Sequence, residues 1–332
     1  MARNRKAVSQ IAGWRLLLRV AFNREQIQLQ VAELASQGVF IGTSSWKYPS
    51  WRGMLYDESR YAYRGKFAES RFEKNCLSEY AEVFKTVCVD AAYYTFPVRD
   101  KLEAMAAQVP ADFQFALKVT DEITIKTFPN LARFGHRAGL TNEHFLRADV
   151  FMTAFLQPCQ AIRQNVGVLL FEFSRFHPGD YQHGREFVSD LNRFLGQLPK
   201  GWPYAIEMRN HHWLQKEYFD CLACHGVAHV FNSWDAMPPV SEQMRLPGSV
   251  PNQQLVAARF LLKPGRNYEE AVKTFQPYNR VQEQYPEARQ AGRKLIAEGK
   301  QAGDRRKTFI YVNNRLEGNA LETISAMISD NR

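Results

Sequence analysis

Short apolar runs alternate along this sequence with segments of helical periodicity, and this order is strong evidence for its fold. Eight runs have the length and the branched or aromatic content of strands: Val39–Thr43, Thr86–Asp90, Phe113–Lys118, Val166–Phe171, Tyr204–Met208, Val227–Phe231, Leu255–Phe260 and Phe309–Asn313. Segments with helical spacing separate or follow them, and they include Phe67–Phe84, Val98–Gln108, His144–Arg163, Gly184–Leu195, Leu214–His225, Pro286–Ala302 and Ala320–Ser329. Strands that alternate with helices predict a parallel sheet, and eight such units predict a closed α/β barrel of the (β/α)8, TIM type.

Two additions to the barrel are predicted, an extra N-terminal helix and a long helical insertion before the last strand. We divide the chain into a basic N-terminal helical extension, residues 1–38, and a barrel domain, residues 39–332. The insertion spans Asn267–Ala302. No Gly-x-Gly-x-x-Gly motif follows the first strand, which argues against a dinucleotide-binding Rossmann fold.

The basic character of the chain is concentrated at its N-terminus. The formal net charge is +9, and Arg3, Arg5, Lys6, Arg15, Arg19 and Arg24 all precede the first acid, Glu25. Arg15 and Arg19 interrupt the apolar stretch that a secretory signal needs. The segment therefore has several interpretations: a transit peptide, a basic amphipathic arm, an extra helix outside the main fold, or residues added by an upstream start codon.

The cysteine content favours a reducing compartment. The chain has five cysteines, an odd number, and no apolar run approaches the roughly 20 residues of a membrane span. We therefore expect a cytoplasmic protein. Cys221-Leu-Ala-Cys-His225 matches the haem-attachment pattern, but it falls in a predicted helix that ends at Gly226, and we interpret it as two cysteines on a helix.

Polar residues at the ends of the predicted strands are the candidate site. They are Asp90 with Tyr94, Lys118, Glu172, Glu207 with Arg209, Asn232, Arg259, and Asn313 with Asn314. Alternation along a strand puts Glu207 and Arg209 on one face, where two charges need each other or a ligand. In a TIM barrel the C-terminal ends of the strands converge on one mouth, so these residues are predicted to meet there.

The charges in this set indicate two kinds of role. Glu207, Asp90 and Glu172 are the candidate catalytic carboxylates, since a carboxylate without a cation has a raised pKa and can act as a general acid. Lys118, Arg209 and Arg259 would compensate the carboxylates or hold a phosphate or carboxylate of a substrate. Asn313 and Asn314 would bind substrate hydroxyls, although asparagine at a strand end also caps backbone.

Aromatic residues near the same ends are candidate rim residues. Trp46, Tyr94 and Trp213 would bind substrate, with Trp51 and Tyr56 beside them, although packing of the loops on themselves explains any one equally well. We expect no metal and no cofactor, because the adjacent His211 and His212 should diverge from a strand and no helix-face histidine pair occurs. Cys88 inside the second strand would be a nucleophile or, more commonly, an inert buried thiol.

Four blocks of the sequence, in order, resemble the domain of unknown function 72 family, the YecE-like proteins. They are Phe40-Ile-Gly-Thr-Ser-Ser-Trp-Lys-Tyr-Pro-Ser-Trp51, Phe113-Gln-Phe-Ala-Leu-Lys118, Ala205-Ile-Glu-Met-Arg209 with Trp213, and Tyr311-Val-Asn-Asn314. The resemblance runs from about Phe40 to Ile328. It implies a single TIM-type barrel and implies no particular reaction.

Three departures from the family pattern affect the candidate site. The second strand of the family usually reads Thr-Val-Glu-Ile-Asn, where this chain has Thr86-Val-Cys-Val-Asp90. The fourth usually ends in glutamine, where this chain has Glu172, and the seventh usually continues Arg-x-His-Gly, where Arg259 is followed by Phe-Leu-Leu-Lys263. If the family's chemistry uses that glutamate or histidine, this member is altered or inactive.

Three functions remain open from the sequence. The first is an enzyme, hydrolase- or isomerase-like, that acts on an anionic or phosphorylated sugar-type small molecule. The second is a nucleic-acid-binding or nucleic-acid-processing barrel that uses the basic first helix, the aromatic rim and basic residues in and just after the insertion, namely Arg289, Arg293, Lys294, Lys300, Arg305, Arg306 and Lys307. The third is a non-catalytic binding protein, which the altered second and seventh strands favour. No membrane span is expected, and the sequence gives no oligomeric state.

Overall fold

The computed structural model describes residues 22–329, and eight parallel strands form its centre. They are β1 (Val39–Thr43), β2 (Thr86–Val89), β3 (Gln114–Lys118), β4 (Val166–Phe173), β5 (Tyr204–Met208), β6 (Ala228–Ser233), β7 (Leu255–Phe260) and β8 (Lys307–Val312). Each pairs with its neighbours in chain order, and β1 also pairs with β8, which closes the barrel. The predicted TIM-type barrel is therefore confirmed.

The strand bounds follow the apolar runs closely. The predicted bounds are reproduced for β1, β5 and β7, and the others shift by one or two residues. Asp90 was predicted as the last residue of its strand but lies just after it, because its backbone (φ −76°, ψ −18°) already starts a short helix, Ala91–Tyr94. Asn313 likewise follows β8.

Helices surround the barrel. The longer ones are α1 (Arg24–Ser36), α2 (Glu69–Val83), α3 (Arg99–Ala106), α4 (Gly184–Gln197), α5 (Lys216–His225), α6 (Tyr268–Phe275), α7 (Pro286–Ala302) and α8 (Ala320–Ile328). Short helices lie at Ala91–Tyr94, Asp121–Thr124, Ala148–Val150, Gln157–Cys159 and Val240–Gln243. 3-10 turns occur at Pro49–Trp51, Glu58–Tyr61, His211–Trp213 and Gly303–Arg305, and kinked pairs of 3-10 turns at Ala132–Arg137 and Gln160–Asn165. A hairpin pairs Ala62–Tyr63 with Lys66–Phe67.

One helix prediction was wrong in detail. His144–Arg163 was expected to be a single helix, but it is a loop followed by short segments, with π-type hydrogen bonding over Phe151–Leu156 and a 3-10 turn from Gln160. Pro158 lies within this stretch and has no amide hydrogen to give to the preceding turn, which accounts for the irregular bonding.

Both predicted additions to the barrel, an N-terminal helix and a helical insertion before β8, occur in the described residues. α1 buries Ile27, Val31 and Leu34, whereas Arg3, Arg5, Lys6, Arg15 and Arg19 lie outside the described residues. The boundary at residue 38 stays a prediction. The insertion before β8 consists of α6 and α7, and it is anchored by a buried ion pair in which Arg289 Nη2 lies 2.8 Å from Glu317 Oε2.

The strands alternate between an inward and an outward face. Inward side chains fill the barrel with an apolar layer made of Phe40, Cys88, Ala116, Val168, Leu170, Ala205, Ala228, Val230, Leu255, Ala257, Phe309 and Tyr311. Outward ones pack under the helices. β1 and β2 approach closely at Gly42, where an added Cβ would lie 2.1 Å from the carbonyl oxygen of Thr86. Only glycine fits this contact.

Candidate functional site

The strand-end charges occupy the level directly above the apolar layer of the barrel. Lys118 follows Ala116 by two residues, and Glu172 follows Leu170 in the same way. Arg259 and Asn232 stand at the same level and are register partners on β7 and β6. Because alternation returns the chain to the same face every second residue, the polar residues continue the inward-facing rows. The C-terminal end of the barrel is therefore closed by charged side chains.

Glu172 is the point at which the three cations meet. Its Oε2 lies 2.7 Å from Lys118 Nζ, 2.7 Å from Arg209 Nη2 and 2.9 Å from Arg259 Nη1. The side chain is only 3% exposed. A carboxylate this buried is tolerated because each of these donors is charged.

Glu207 completes the network from the neighbouring strand. Its Oε1 accepts from Arg209 Nε at 2.9 Å, and its Oε2 accepts from Arg259 Nη1 at 2.7 Å. Glu172 and Glu207 are direct register partners on β4 and β5, so two carboxylates stand side by side. Arg209 and Arg259 each bridge both of them. We call Lys118, Glu172, Glu207, Arg209 and Arg259 the ion-pair cluster.

The cluster favours the charged forms of Glu172 and Arg259. Burial alone would raise the pKa of Glu172, but Arg209, Lys118 and Arg259 outweigh burial and keep that pKa well below its usual range. Burial alone would lower the pKa of Arg259, but Glu207, Cys88, Asp90 and Glu172 raise it well above its usual value. Glu172 therefore lacks the raised pKa of a general acid.

Asp90 is the carboxylate of the set that reaches solvent. Its side chain is 37% exposed, and its Oδ1 lies 3.3 Å from Arg259 Nη2, the longest ion pair made by these residues. Cys88 Sγ lies 3.9 Å from the same oxygen. Burial raises the pKa of the Cys88 thiol to about 12, so the thiol stays protonated and is a poor nucleophile at neutral pH.

Aromatic rings cover two of the cations. The ring centroid of Tyr93 lies 3.5 Å from Lys118 Nζ, and that of Trp234 lies 3.9 Å from Arg209 Cζ. Tyr94 packs edge-on against Tyr93 and is 62% exposed. These contacts are cation–π interactions in a partly buried setting. They form an aromatic rim, Tyr93, Tyr94 and Trp234, above the cluster.

The three strand-end asparagines are engaged with main chain. Asn313 Oδ1 accepts from the Arg315 amide at 3.0 Å, and Asn314 Oδ1 accepts from the Ala320 amide at 2.8 Å. Asn232 Nδ2 donates to the Met208 carbonyl at 3.1 Å. Asn314 Nδ2 and Asn232 Oδ1 are buried without a partner in the described part of the chain. These two groups remain available to a ligand or to water.

All three of the predicted rim tryptophans lie in packed surroundings. Trp46 is buried and its carbonyl accepts from the Tyr56 hydroxyl, while Trp51 is fully buried. Trp213 stacks on Phe176 at 5.4 Å and on Phe187 at 5.6 Å between ring centroids. Each of these three tryptophans therefore packs against other residues of the protein.

Sequence reasoning missed Tyr93 and Trp234. A usable pattern existed for both, since Trp234 directly follows β6 and Tyr93 directly precedes Tyr94. His211 and His212 were expected to diverge, but their ring centroids lie 3.6 Å apart because the residues form a 3-10 turn rather than a strand. Within residues 22–329 no group of three or more His, Cys, Asp or Glu side chains could hold a metal ion.

Two basic residues of the insertion serve the fold. Arg289 is bound to Glu317, and Arg293 Nη2 donates to the Ala326 carbonyl at 2.7 Å.

Cys221 is buried on α5 while Cys224 is exposed, and His225 Nε2 lies 2.7 Å from Asn192 Oδ1. The three residues of the haem-like pattern thus have different surroundings on one helix.

The family of the chain follows from a comparison with family sequence models. The model described as "Protein of unknown function DUF72" matches residues 40–332, which is most of the chain. The chain belongs to the DUF72 family. The predicted resemblance is confirmed, and the match begins at β1 of this DUF72 barrel. A comparison with curated proteins finds no match.

Solved structures of DUF72 proteins share the fold. A DUF72 family protein from Enterococcus faecalis is 20% identical, with a TM-score of 0.59 over 87% of this chain and 94% of the other. A DUF72 family protein from Thermotoga maritima is 19% identical, with a TM-score of 0.54 over 87% of this chain and 96% of the other. At these identities the likeness concerns the fold alone. In the described part of this DUF72 protein, no helix is both long and apolar enough to cross a membrane.

Proposed function

We propose that the protein is an enzyme that acts on a small anionic, sugar-type molecule at the C-terminal face of its barrel. The observation that carries the proposal is the state of Arg259. Its Nη1 is bound to both buried glutamates. Among the described residues, its Nη2 has one ion-pair partner, Asp90 Oδ1 at 3.3 Å, and its buried Nε has no partner. Arg259 therefore retains donors for an anionic ligand.

The charge balance of the ion-pair cluster supports the same proposal. Lys118, Arg209 and Arg259 face only two buried carboxylates, so the cluster by itself carries one excess positive charge. Asp90 partly offsets that charge from the solvent side. A phosphate or carboxylate of a ligand would approach the same guanidinium and would be favoured electrostatically in a site shielded from water.

The roles within the set differ from those expected of isolated residues. Glu172 and Glu207 orient the cations, because Glu172 Oε2 and both carboxylate oxygens of Glu207 are bound to charged donors. Asp90 is the exposed carboxylate beside the cluster, and we assign it the proton transfer. It would accept a proton from a sugar hydroxyl or a water molecule, while Arg259 and Lys118 hold the anion.

The aromatic rim supports a sugar-type ligand. Trp234 and Tyr94 present partly exposed rings beside the charged groups. The faces of sugar rings carry C–H groups that pack on aromatic rings, while their hydroxyls need polar partners. Aromatic surface next to a compact charged cluster fits a ligand with both kinds of group. The nucleic-acid alternative stays a prediction, and two of its basic residues, Arg289 and Arg293, are already used within the fold.

The test measures binding and turnover separately. Calorimetric titration with glucose 6-phosphate and with glucose should show binding of the phosphorylated sugar, with affinity for neutral glucose at least about tenfold weaker. Asp90→Asn removes a competing negative charge and should tighten glucose 6-phosphate several-fold. The same variant should abolish the conversion of sugar phosphates followed by proton NMR.

Two controls sharpen the test. Asp112→Asn changes the same kind of side chain at an exposed position and should alter neither binding nor conversion. Equal affinity for glucose and glucose 6-phosphate would remove the anion-binding role of Arg259. Unchanged conversion in Asp90→Asn would remove the assigned proton acceptor.

A further inference from the structure

A cleft of about 620 Å³ lies beside the ion-pair cluster, between the loops that follow β3 and β4. Its walls include Phe128, Leu131, Arg175 and Phe176, and the ring of Tyr93 lies along one side. The volume falls within the range of about 300–1,000 Å³ that is typical of sites for small molecules. None of the catalytic or substrate-binding residues predicted from the sequence lines this cleft.

The cleft has apolar surface that the fold leaves uncovered. Leu131 is 53% exposed and Pro129 is exposed beside it, whereas Phe128 and Phe176 form a buried wall. Exposed apolar groups that converge on a cavity are typical of ligand sites, while single exposed leucines elsewhere need no explanation. The apolar wall therefore offers space for a flat, nonpolar group.

The charge in the cleft is positive. Lys126 Nζ donates to the main-chain carbonyl of Asp180 at 2.7 Å, and no carboxylate within residues 22–329 forms an ion pair with this ammonium. Arg175 is exposed and makes no ion pair within residues 22–329. The carboxylate of Asp180 accepts from the His177 amide at 2.9 Å. These three residues, one carboxylate (Asp180) and two cations (Lys126 and Arg175), together carry a net positive charge that attracts anions.

Tyr93 connects the cleft to the ion-pair cluster. The same ring that lines the cleft lies 3.5 Å, centroid to nitrogen, from Lys118 Nζ. Cleft and cluster therefore share Tyr93 as a common neighbour. A ligand in the cleft would therefore lie next to the ring that covers Lys118.

We infer that the cleft binds a planar aromatic group of the substrate, whose anionic sugar part lies at the ion-pair cluster. The inference rests on the proposed function and narrows its substrate class to anionic sugars that carry an aromatic substituent. The aromatic group packs between Leu131 and Phe128, the sugar lies over Tyr93, and the anion reaches Arg259. The positive cleft adds long-range attraction for the charged molecule.

The experiment compares three ligands by calorimetric titration of the full chain. They are glucose 6-phosphate, phenyl β-D-glucoside, and phenyl β-D-glucoside 6-phosphate, which combines the ring with the anion. The combined ligand should bind about tenfold more tightly than glucose 6-phosphate, because aromatic stacking adds to the anion contact. Leu131→Gln should reduce that advantage about fivefold and leave the affinity for glucose 6-phosphate unchanged.

Leu140→Gln is the matched control. Leu140 lies in the same loop, is 55% exposed and does not line the cleft, so its replacement should change none of the affinities. Variants at both positions replace exposed side chains, and thermal unfolding checks that each folds.

Each alternative result has a distinct meaning. The inference is overturned if phenyl β-D-glucoside 6-phosphate binds no more tightly than glucose 6-phosphate, or if its tighter binding persists in Leu131→Gln. In either case, binding of glucose 6-phosphate still upholds the proposed function. A phenyl ligand that binds through Leu131 without any binding of glucose 6-phosphate upholds the aromatic site and removes the proposed function. Displacement of the phenyl ligand by a short single-stranded oligonucleotide, weakening as salt rises, overturns the small-molecule assignment in favour of a nucleic-acid end.

Discussion

Arg259 donates a hydrogen bond of 2.7 Å to Glu207 inside the barrel, although their strands, β7 and β5, are separated by β6. The two side chains are 3% and 0% exposed. The long side chain of Arg259 reaches across the barrel, and its Nη1, which binds Glu207, also binds Glu172. The contact therefore links three strands, and it joins the stability of the barrel mouth to the geometry of the candidate site.

We expect Glu207→Gln to destabilise the protein strongly. The substitution leaves Arg209 and Arg259 buried with one carboxylate fewer, and breaking a buried ion pair in this way costs about 3–5 kcal/mol. Urea unfolding measures the change in free energy of unfolding. Asp220→Asn, which breaks the exposed pair with Lys216, is the control and should leave the unfolding curve unchanged. A Glu207→Gln protein as stable as the wild type would contradict the prediction.

Glu172 should make the stability of the protein fall at acidic pH. Its folded-state pKa lies below the ordinary value of 4.5, so the stabilisation is fully present above about pH 4.5 and is lost as the pH falls further. Below pH 4.5 the unfolded chain binds the extra proton, and the loss has a limit of about 1.4 kcal/mol per pH unit. Urea unfolding of wild type and Glu172→Gln between pH 6 and pH 3 checks this, and parallel curves for the two proteins would refute it.

His229 should give a second, separate pH dependence at higher pH. Burial lowers the pKa of His229 to about 3, so the unfolded chain takes up a proton below about pH 6.5 that the folded protein excludes. Stability is therefore full above pH 6.5 and should drop by about 2 kcal/mol between pH 7 and pH 5. His229→Gln should remove this drop in urea unfolding experiments, whereas His136→Gln, at an exposed position, should reproduce the wild-type slope.

Thiol reactivity should separate Cys224 from the other cysteines. Burial raises the pKa of Cys88, Cys76 and Cys159 to about 12 and that of Cys221 to about 11, and Cys224 is exposed. We expect one rapidly reacting thiol in a dithionitrobenzoate titration of the folded protein at pH 8, and five after unfolding in urea. Cys224→Ser should remove the fast phase, and a fast phase that survives in this variant would show that a buried thiol is accessible.

Much of the architecture was predictable because it depends on local periodicity. Apolar runs with the spacing of strands located all eight barrel strands, and the bounds of β1, β5 and β7 were correct. Helical spacing located α7 from Pro286 to Ala302 without error. Two differences lie at single residues. Asp90 starts a helical turn instead of ending its strand, and the hydrogen bonding of the helical stretch around Pro158 is irregular.

The membership of the candidate site was predictable in the same way, but its contacts were not. Alternation along one strand fixes that Glu207 and Arg209 share a face, and parallel strands bring their C-terminal ends together. Trp46 and Trp213, by contrast, follow strands in the sequence and yet pack into their own surroundings. The direction of a side chain in a loop depends on neighbours that are distant in sequence, so periodicity gives no information about it.

The barrel, the inward rows of side chains and the charged residues at their C-terminal ends could be read from the sequence, because each depends on spacing within one strand or on the order of strands. Three relationships emerge from the folded chain alone: Arg259 binds both Glu172 and Glu207, Asp90 is the more exposed carboxylate, and Tyr93 contacts both Lys118 and the cleft. Those relationships depend on strand register and on how far long side chains reach across the barrel, and both are set by the packing of the whole fold.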